Sequence, residues 1–192
     1  MTRPTRIISG GQTGADRGGL DAAIALGIPH GGWCPKGRLA EDGKVPARYQ
    51  LTETGSSSYP GRTRRNVLDA DGTVIFTRGR LEGGSRLTAD VARAAGKPSL
   101  HIDVKRLDAE RAALIGELRA WLTEHQVAVL NVAGSRESKA RGIRKAVARF
   151  LEEALGSTLL RTRSGAYVVE SEEAPEYGGT AVAGTRQPRP RR

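Results

Sequence analysis

The segment Gly10-Gly11-Gln12-Thr13-Gly14-Ala15-Asp16 carries the backbone freedom and the polar side chains needed to hold an anion. Glycine has no Cβ and tolerates positive φ, so Gly10, Gly11 and Gly14 let a phosphate or similar oxyanion approach the main chain. Backbone N–H groups at a helix start point at such an anion, and the helix dipole favours its charge. Thr13 is suited to donate to an oxyanion and Asp16 to accept from a ligand N–H. The same pair, three residues apart, also reads as a capping box, and the whole segment as a tight turn between strand and helix. The glycine offsets differ from G-x-G-x-x-G and no Gly-Lys-Ser/Thr follows, which argues against NAD binding and ATP hydrolysis. On the anion reading, Gly11→Val is expected to lose the ligand while keeping the fold.

Two further segments have the same character. Thr77 to Ser85 contains Gly83, Gly84 and Ser85, with Thr88 one turn beyond, and Asn131 to Lys139 contains Gly134, Ser135, Arg136 and Ser138. Lys36 and Arg38, in a turn with Pro35 and Gly37, place two cations after the second strand, suited to an anionic ligand or to a solvated surface. Arg62 and Arg65 share a helix face while Arg64 points elsewhere; solvent alone would also accommodate that face. Cys34 is expected to be packed rather than a ligand. His30, His101 and Asp103 lack the spacing of a metal triad, so no metal-binding residue is assigned.

Elements that position these residues emerge from periodicity. Strands are expected at Arg6 to Ser9, His30 to Cys34, Thr73 to Thr77, Ser99 to Asp103 and Val127 to Val132, with a short one at Tyr49 to Thr52. Helices are expected at Ala15 to Leu26, Arg62 to Asp69, Ser85 to Ala95, Ala109 to Glu124 and Ser138 to Leu155. Alternation of this kind predicts a single α/β domain, Rossmann-like, with a mostly parallel sheet and helices on both faces. The three glycine-bearing loops then converge at the carboxyl edge of the strands, each before a helix start. A helix end contributes about 0.3–2 kcal/mol and a charge-assisted hydrogen bond about 1.5–3 kcal/mol. Two or three ends with two basic side chains therefore reach the roughly 8 kcal/mol of micromolar binding.

The organisation expected is an anion- or cofactor-binding domain over residues 1–156, a terminal strand within 157–170 and a flexible basic tail over 171–192. A length of 192 residues suits one core. One cysteine excludes an intrachain disulfide, apolar runs are too short for a bilayer span, and the N-terminus lacks the apolar stretch of a signal peptide. A cytoplasmic protein without membrane association is expected. The net charge of +10 suits an anionic partner, although arginine outnumbers lysine about fourfold and several arginines lie in the tail.

In sequence, Gly10 to Asp21, Gly31-Gly32-Trp33-Cys34-Pro35-Lys36-Gly37-Arg38, Ala40-Glu41-Asp42-Gly43, Arg62 to Val67, Gly83 to Thr88 and Asn131 to Ser138 occur in that order. Together they resemble the molybdenum carrier family, within a Rossmann-like group that includes LOG-type phosphoribohydrolases and DNA-processing protein A. The resemblance covers roughly residues 6–155. It implies binding, storage or delivery of molybdenum cofactor, a phosphate-bearing pterin whose dithiolene holds a molybdenum oxo group, or of molybdate. It also implies a homo-oligomer, with a tetramer the leading expectation, and a molybdoenzyme as recipient.

Two other readings follow from the same group: a LOG-like phosphoribohydrolase or nucleotide sensor, and a DNA-binding protein of the DNA-processing type. LOG-type enzymes hydrolyse nucleoside monophosphates and carry Pro-Gly-Gly-x-Gly-Thr-x-x-Glu. Here Glu82 stands for the proline, Arg86 and Leu87 for Gly-Thr, and Asp90 for the glutamate, a shorter acid behind a bulkier loop. Nucleic-acid binding would need stacking aromatics beside the basic charge. Trp33, Tyr49, Tyr59, Phe76 and Trp121 are too dispersed for a platform, so only weak, sequence-independent binding is expected.

Overall fold

The structure is a computed structural model that describes residues 3–156, 159–161 and 167–169. Strands and helices alternate along it apart from a run of short strands between α1 and α2 and a final strand pair. They are β1 (Arg6–Ile8), α1 (Ala15–Ala25), β2 (His30–Gly31), β3 (Trp33–Cys34), β4 (Leu39–Ala40), β5 (Gly43–Lys44), β6 (Thr52–Glu53), α2 (Tyr59–Asp69), β7 (Gly72–Thr77) and α3 (Gly83–Ala94). After them come β8 (Ser99–Asp103), α4 (Leu107–Glu124), β9 (Val129–Gly134), α5 (Ile143–Leu155), β10 (Leu159–Arg161) and β11 (Tyr167–Val169).

Five strands form one all-parallel sheet in the order β2-β1-β9-β7-β8. Counting β9 first along the chain turns this order into 3-2-1-4-5, the doubly wound arrangement. Parallel strands need both faces covered, and β7 is buried throughout. Its Val74 and Phe76 join the core formed with α1, α4 and α5, where Phe76 meets Phe150 edge to face at 5.7 Å. Ile75 alternates to the opposite face. A second cluster, Val67 with Val91 and Ala92, packs α2 on α3. The expected α/β, Rossmann-like class is the one observed.

Several boundaries differ from the periodicity for local reasons. The strand expected at His30 to Cys34 breaks at Gly32, φ +115, where a Cβ would run into the Ser9 backbone and into Asn66 Oδ1 at 2.8 Å. Beyond it, β3 leaves the main sheet and pairs in parallel with β6, while Asn66 clamps it by accepting from Trp33 N–H at 2.8 Å and donating to Trp33 O at 2.9 Å. Tyr49 is no strand residue but a fully buried side chain whose hydroxyl meets Asp21 at 2.7 Å. Helix α2 starts at Tyr59, because Pro60 suits a first helical turn. Helix α5 starts only at Ile143, after Gly142 in the left-handed region.

Strands β10 and β11 pair antiparallel within the unit Thr158–Arg192, separate from Met1–Ser157. The basic tail expected at 171–192 lies outside the described residues.

Candidate functional site

At the carboxyl ends of β7 and β9 the connections diverge, and ligands of doubly wound sheets bind at such a switch point. A cavity of about 670 Å³ lies there, walled by the loops after β1, β7 and β9 and by the first turn of α2. Small-molecule sites fall in this size range. Arg62, Arg78, Arg80, Lys105, Arg136 and Lys139 line it, and among the described residues the only carboxylates beside them in the lining are Asp16 and Glu82. Such an excess of cations suits an anionic ligand.

The deepest wall comes from the β1 loop. Gln12, 4% exposed, uses its Oε1 to accept from Thr13 N–H at 3.0 Å and Glu41 N–H at 2.9 Å. Those two donors fix the amide orientation, and Nε2 is left buried with no hydrogen-bond partner among the described residues. Arg62 Nη1 lies 3.1 Å from Asp16 Oδ2, with the two side chains 11% and 5% exposed, and Arg62 Nε is likewise buried and unpartnered. Burial pushes the Asp16 carboxyl up, and Arg62 and the Gln12 N–H only partly oppose it. An unmet buried donor costs about 1–3 kcal/mol, so two in one cavity wall ask for an oxygen acceptor.

The three loops do meet at the cavity, but α5 starts beyond it, and each helix start is capped from within the protein. Ala15 N–H, opening α1, donates to Ser135 O at 3.1 Å. Glu82 and Ser85 form a capping box on α3, and Glu137 accepts from Gly142 N–H at 2.5 Å and Arg144 N–H at 3.2 Å at α5. The box read at Thr13 and Asp16 is absent: α1 has Gly14 as its N-cap, Thr13 donates to Glu41, and Asp16 pairs with Arg62.

Hydroxyls are committed in the same way. Ser138 Oγ donates to Glu41 Oε2 at 2.7 Å, Ser85 Oγ to Glu82 O at 2.8 Å and Thr88 Oγ1 to Gly84 O at 2.9 Å. Glu41 thus bridges the β1 and β9 loops. Burial raises its carboxyl, and the bonds from Thr13 and Ser138 outweigh this and hold it below 4.5. The folded protein therefore binds this proton less tightly than the unfolded chain, and the stabilisation is present above pH 4.5 and lost as pH falls through the lowered value. Glu41→Ala is expected to cost about 1 kcal/mol at pH 7, discounted for its exposed position. In urea titrations the gap to the parent protein should narrow as pH falls below 4.5; a pH-independent gap would remove Glu41 from this role.

The space left by the first-loop glycines is filled by protein. A Cβ on Gly10 would meet the Arg62 guanidinium, on Gly11 the Leu51 and Val45 side chains, and on Gly14 the Ser135 carbonyl. Gly11, at φ +72, packs on buried side chains. Gly11→Val is therefore expected to cost stability as well as ligand, against the expectation of a retained fold.

Of the residues singled out in the sequence, Gln12, Asp16, Arg62, Gly83, Gly84, Ser85, Thr88, Gly134, Ser135 and Arg136 line the cavity. Thr13, Gly14 and Ser138 line a neighbouring depression of about 480 Å³ instead. Lys36 and Arg38 line neither. Arg38 donates to the carbonyls of Val45, Pro46, Tyr49 and Leu51 at 2.9–3.2 Å, which makes it the staple of that loop. Arg62 and Arg65 do not act together, since Arg65 stacks over Trp33 at 4.6 Å. Buried Cys34 packs with Leu20, Val45, Tyr49 and Leu51, and burial pushes its thiol up. Reasoning from sequence missed Tyr59 and Lys105, and took Arg78 and Arg80 only as part of the Thr77 to Ser85 loop. Pro60, as a mark of a helix start, was the available clue to Tyr59.

A family model for the circularly permutated YpsA SLOG family matches residues 7–155. The chain belongs to this family. Permutation agrees with a sheet that reads 3-2-1-4-5 only when its last strand is counted first. Among solved structures, the crystal structure named "Putative molybdenum carrier protein" from Syntrophus aciditrophicus is 49% identical, with a TM-score of 0.76, covering 81% of this chain and 97% of that one. The resemblance drawn from the motifs thus has a structural counterpart in the SLOG group. Comparison with curated proteins returned no match. No helix among the described residues is long and apolar enough to cross a membrane.

Proposed function

We propose that this protein binds and carries a molybdenum-containing anion in the cationic cavity: the molybdenum cofactor, or a related phosphate-bearing pterin or molybdate. The observation that carries the reading is the set of six cationic side chains that line the cavity, Arg62 among them, with Gln12 Nε2 and Arg62 Nε buried and without a partner among the described residues. Oxo and phosphate oxygens are acceptors that suit these donors. No cluster of three His, Cys, Asp or Glu able to hold a metal exists among the described residues, so the pterin's own sulfurs would keep the molybdenum. The name of the 49% identical neighbour supports the same ligand class. Storage or delivery to a molybdoenzyme from a cytoplasmic homo-oligomer completes the proposal.

The carrier reading is favoured over LOG-type hydrolysis by the place of Asp90. It pairs with Arg93 at 3.0 Å on α3 and does not line the cavity. Release of adenine from AMP, abolished by Asp90→Ala, would reverse this preference. Calorimetric titration of ligand-free protein with molybdate and with inorganic phosphate tests the anion site, with binding near micromolar that weakens as salt rises. Absence of heat up to millimolar concentrations of either anion would contradict it.

A further inference from the structure

We infer that Tyr59 is the stacking face for a planar ring carried by the ligand, and that Arg136 covers this face until the ring arrives. The inference rests on the cavity being the ligand site. Tyr59 is the only aromatic side chain among the described residues that line the cavity, at the first position of α2. The Arg136 guanidinium lies over its ring, 5.1 Å from the centroid.

A cavity of about 670 Å³ exceeds the need of a bare tetrahedral oxyanion and leaves room for a bicyclic ring. Guanidinium and heterocycle are both planar and both stack on an aromatic face, so one can take the other's place. Arg136 belongs to the loop after β9, and its charge is felt at Asp16. Once displaced from Tyr59, it remains within the cavity to pair with the anion. The buried Gln12 Nε2 is an independent sign of a ligand in this space: it needs an acceptor that no described residue supplies.

The test measures affinities of the full chain, freed of ligand, for inorganic phosphate, AMP and GMP, the nucleotides serving as phosphates that carry a bicyclic ring. Stacking on one aromatic face is expected to make the nucleotides bind about tenfold tighter than phosphate. Tyr59→Ala should bring that ratio to about one with the thermal midpoint kept, while Tyr59→Phe keeps the parent ratio. An unchanged ratio in Tyr59→Ala, or equal affinities in the parent protein, would overturn the ring platform while leaving the anion site standing. No binding of any of the three would overturn both. A Tyr59→Phe ratio as low as that of Tyr59→Ala would show that the hydroxyl, rather than the ring face, is what matters, and would also overturn it.

Discussion

Arg62→Ala is expected to weaken anion binding roughly tenfold to a hundredfold and to lower stability by about 3 kcal/mol at neutral pH. The first effect follows from its place in the cavity wall, with Nε buried and free to donate. The second follows from Asp16, whose buried carboxylate loses the guanidinium 3.1 Å away. Burial already pushes the Asp16 carboxyl above its ordinary 3.8, and Arg62 is the largest opposing influence. Without it the folded-state value climbs further. The folded variant then holds the Asp16 proton more tightly than the unfolded chain. Its stability falls as pH rises through that value and is recovered as pH is lowered. Adding Asp16→Asn removes the stranded charge, so the double variant should regain stability without regaining affinity. Urea unfolding across pH, paired with phosphate titration, separates the two effects. Equal recovery of both would mean that Arg62 serves the fold alone.

Gly134→Ala should be more damaging still, at about 4 kcal/mol or complete loss of soluble protein. Gly134 ends β9 beside Phe76 of β7, with φ +155, and a Cβ there would overlap the Phe76 carbonyl and lie 2.8 Å from Ala15 Cβ. Both neighbours are fixed: the carbonyl accepts from Ser135 N–H at 2.9 Å, and Ala15 is fully buried in α1. The strand pair must open at the switch point, where Gly134 also lines the cavity. Gly116→Ala provides the contrast. Gly116 is an exposed residue inside α4 with nothing within 4 Å of a built Cβ, and the change should stabilise by about 0.5–1 kcal/mol. Thermal melts of the two variants should move in opposite directions. A Gly134→Ala midpoint equal to the parent's would show that the two strands have slack.

The location of the cavity was legible in the sequence because strand, glycine loop and helix start recur after β1, β7 and β9, and parallel topology sends such loops to one edge. The donors were harder to read. Helix starts and hydroxyls looked like the natural partners of an anion, yet Ser135 O, Glu82, Glu137 and Glu41 take them up. Two of these join residues far apart in sequence, Ala15 with Ser135 and Glu41 with Ser138, and local spacing carries no trace of them, whereas Glu82 with Ser85 and Glu137 with Gly142 are local. Arg62 and Arg65, alike in sequence, part because one meets Asp16 and the other Trp33. Arg38 shows the converse, a cation in a promising turn whose carbonyl partners are supplied by the later loop at 45–51. The break at Gly32 depends on Ser9 and Asn66, which no periodicity connects.

Native mass spectrometry of the protein, purified without oxygen from cells able to make molybdenum cofactor, tests the central claim most directly. The denatured sample supplies the bare 20.5 kDa chain for reference. The account predicts an added mass equal to the metallated pterin, one per subunit, that is lost in Arg62→Ala. Bare protein from the same cells, or an added mass that Arg62→Ala retains in full, would contradict it.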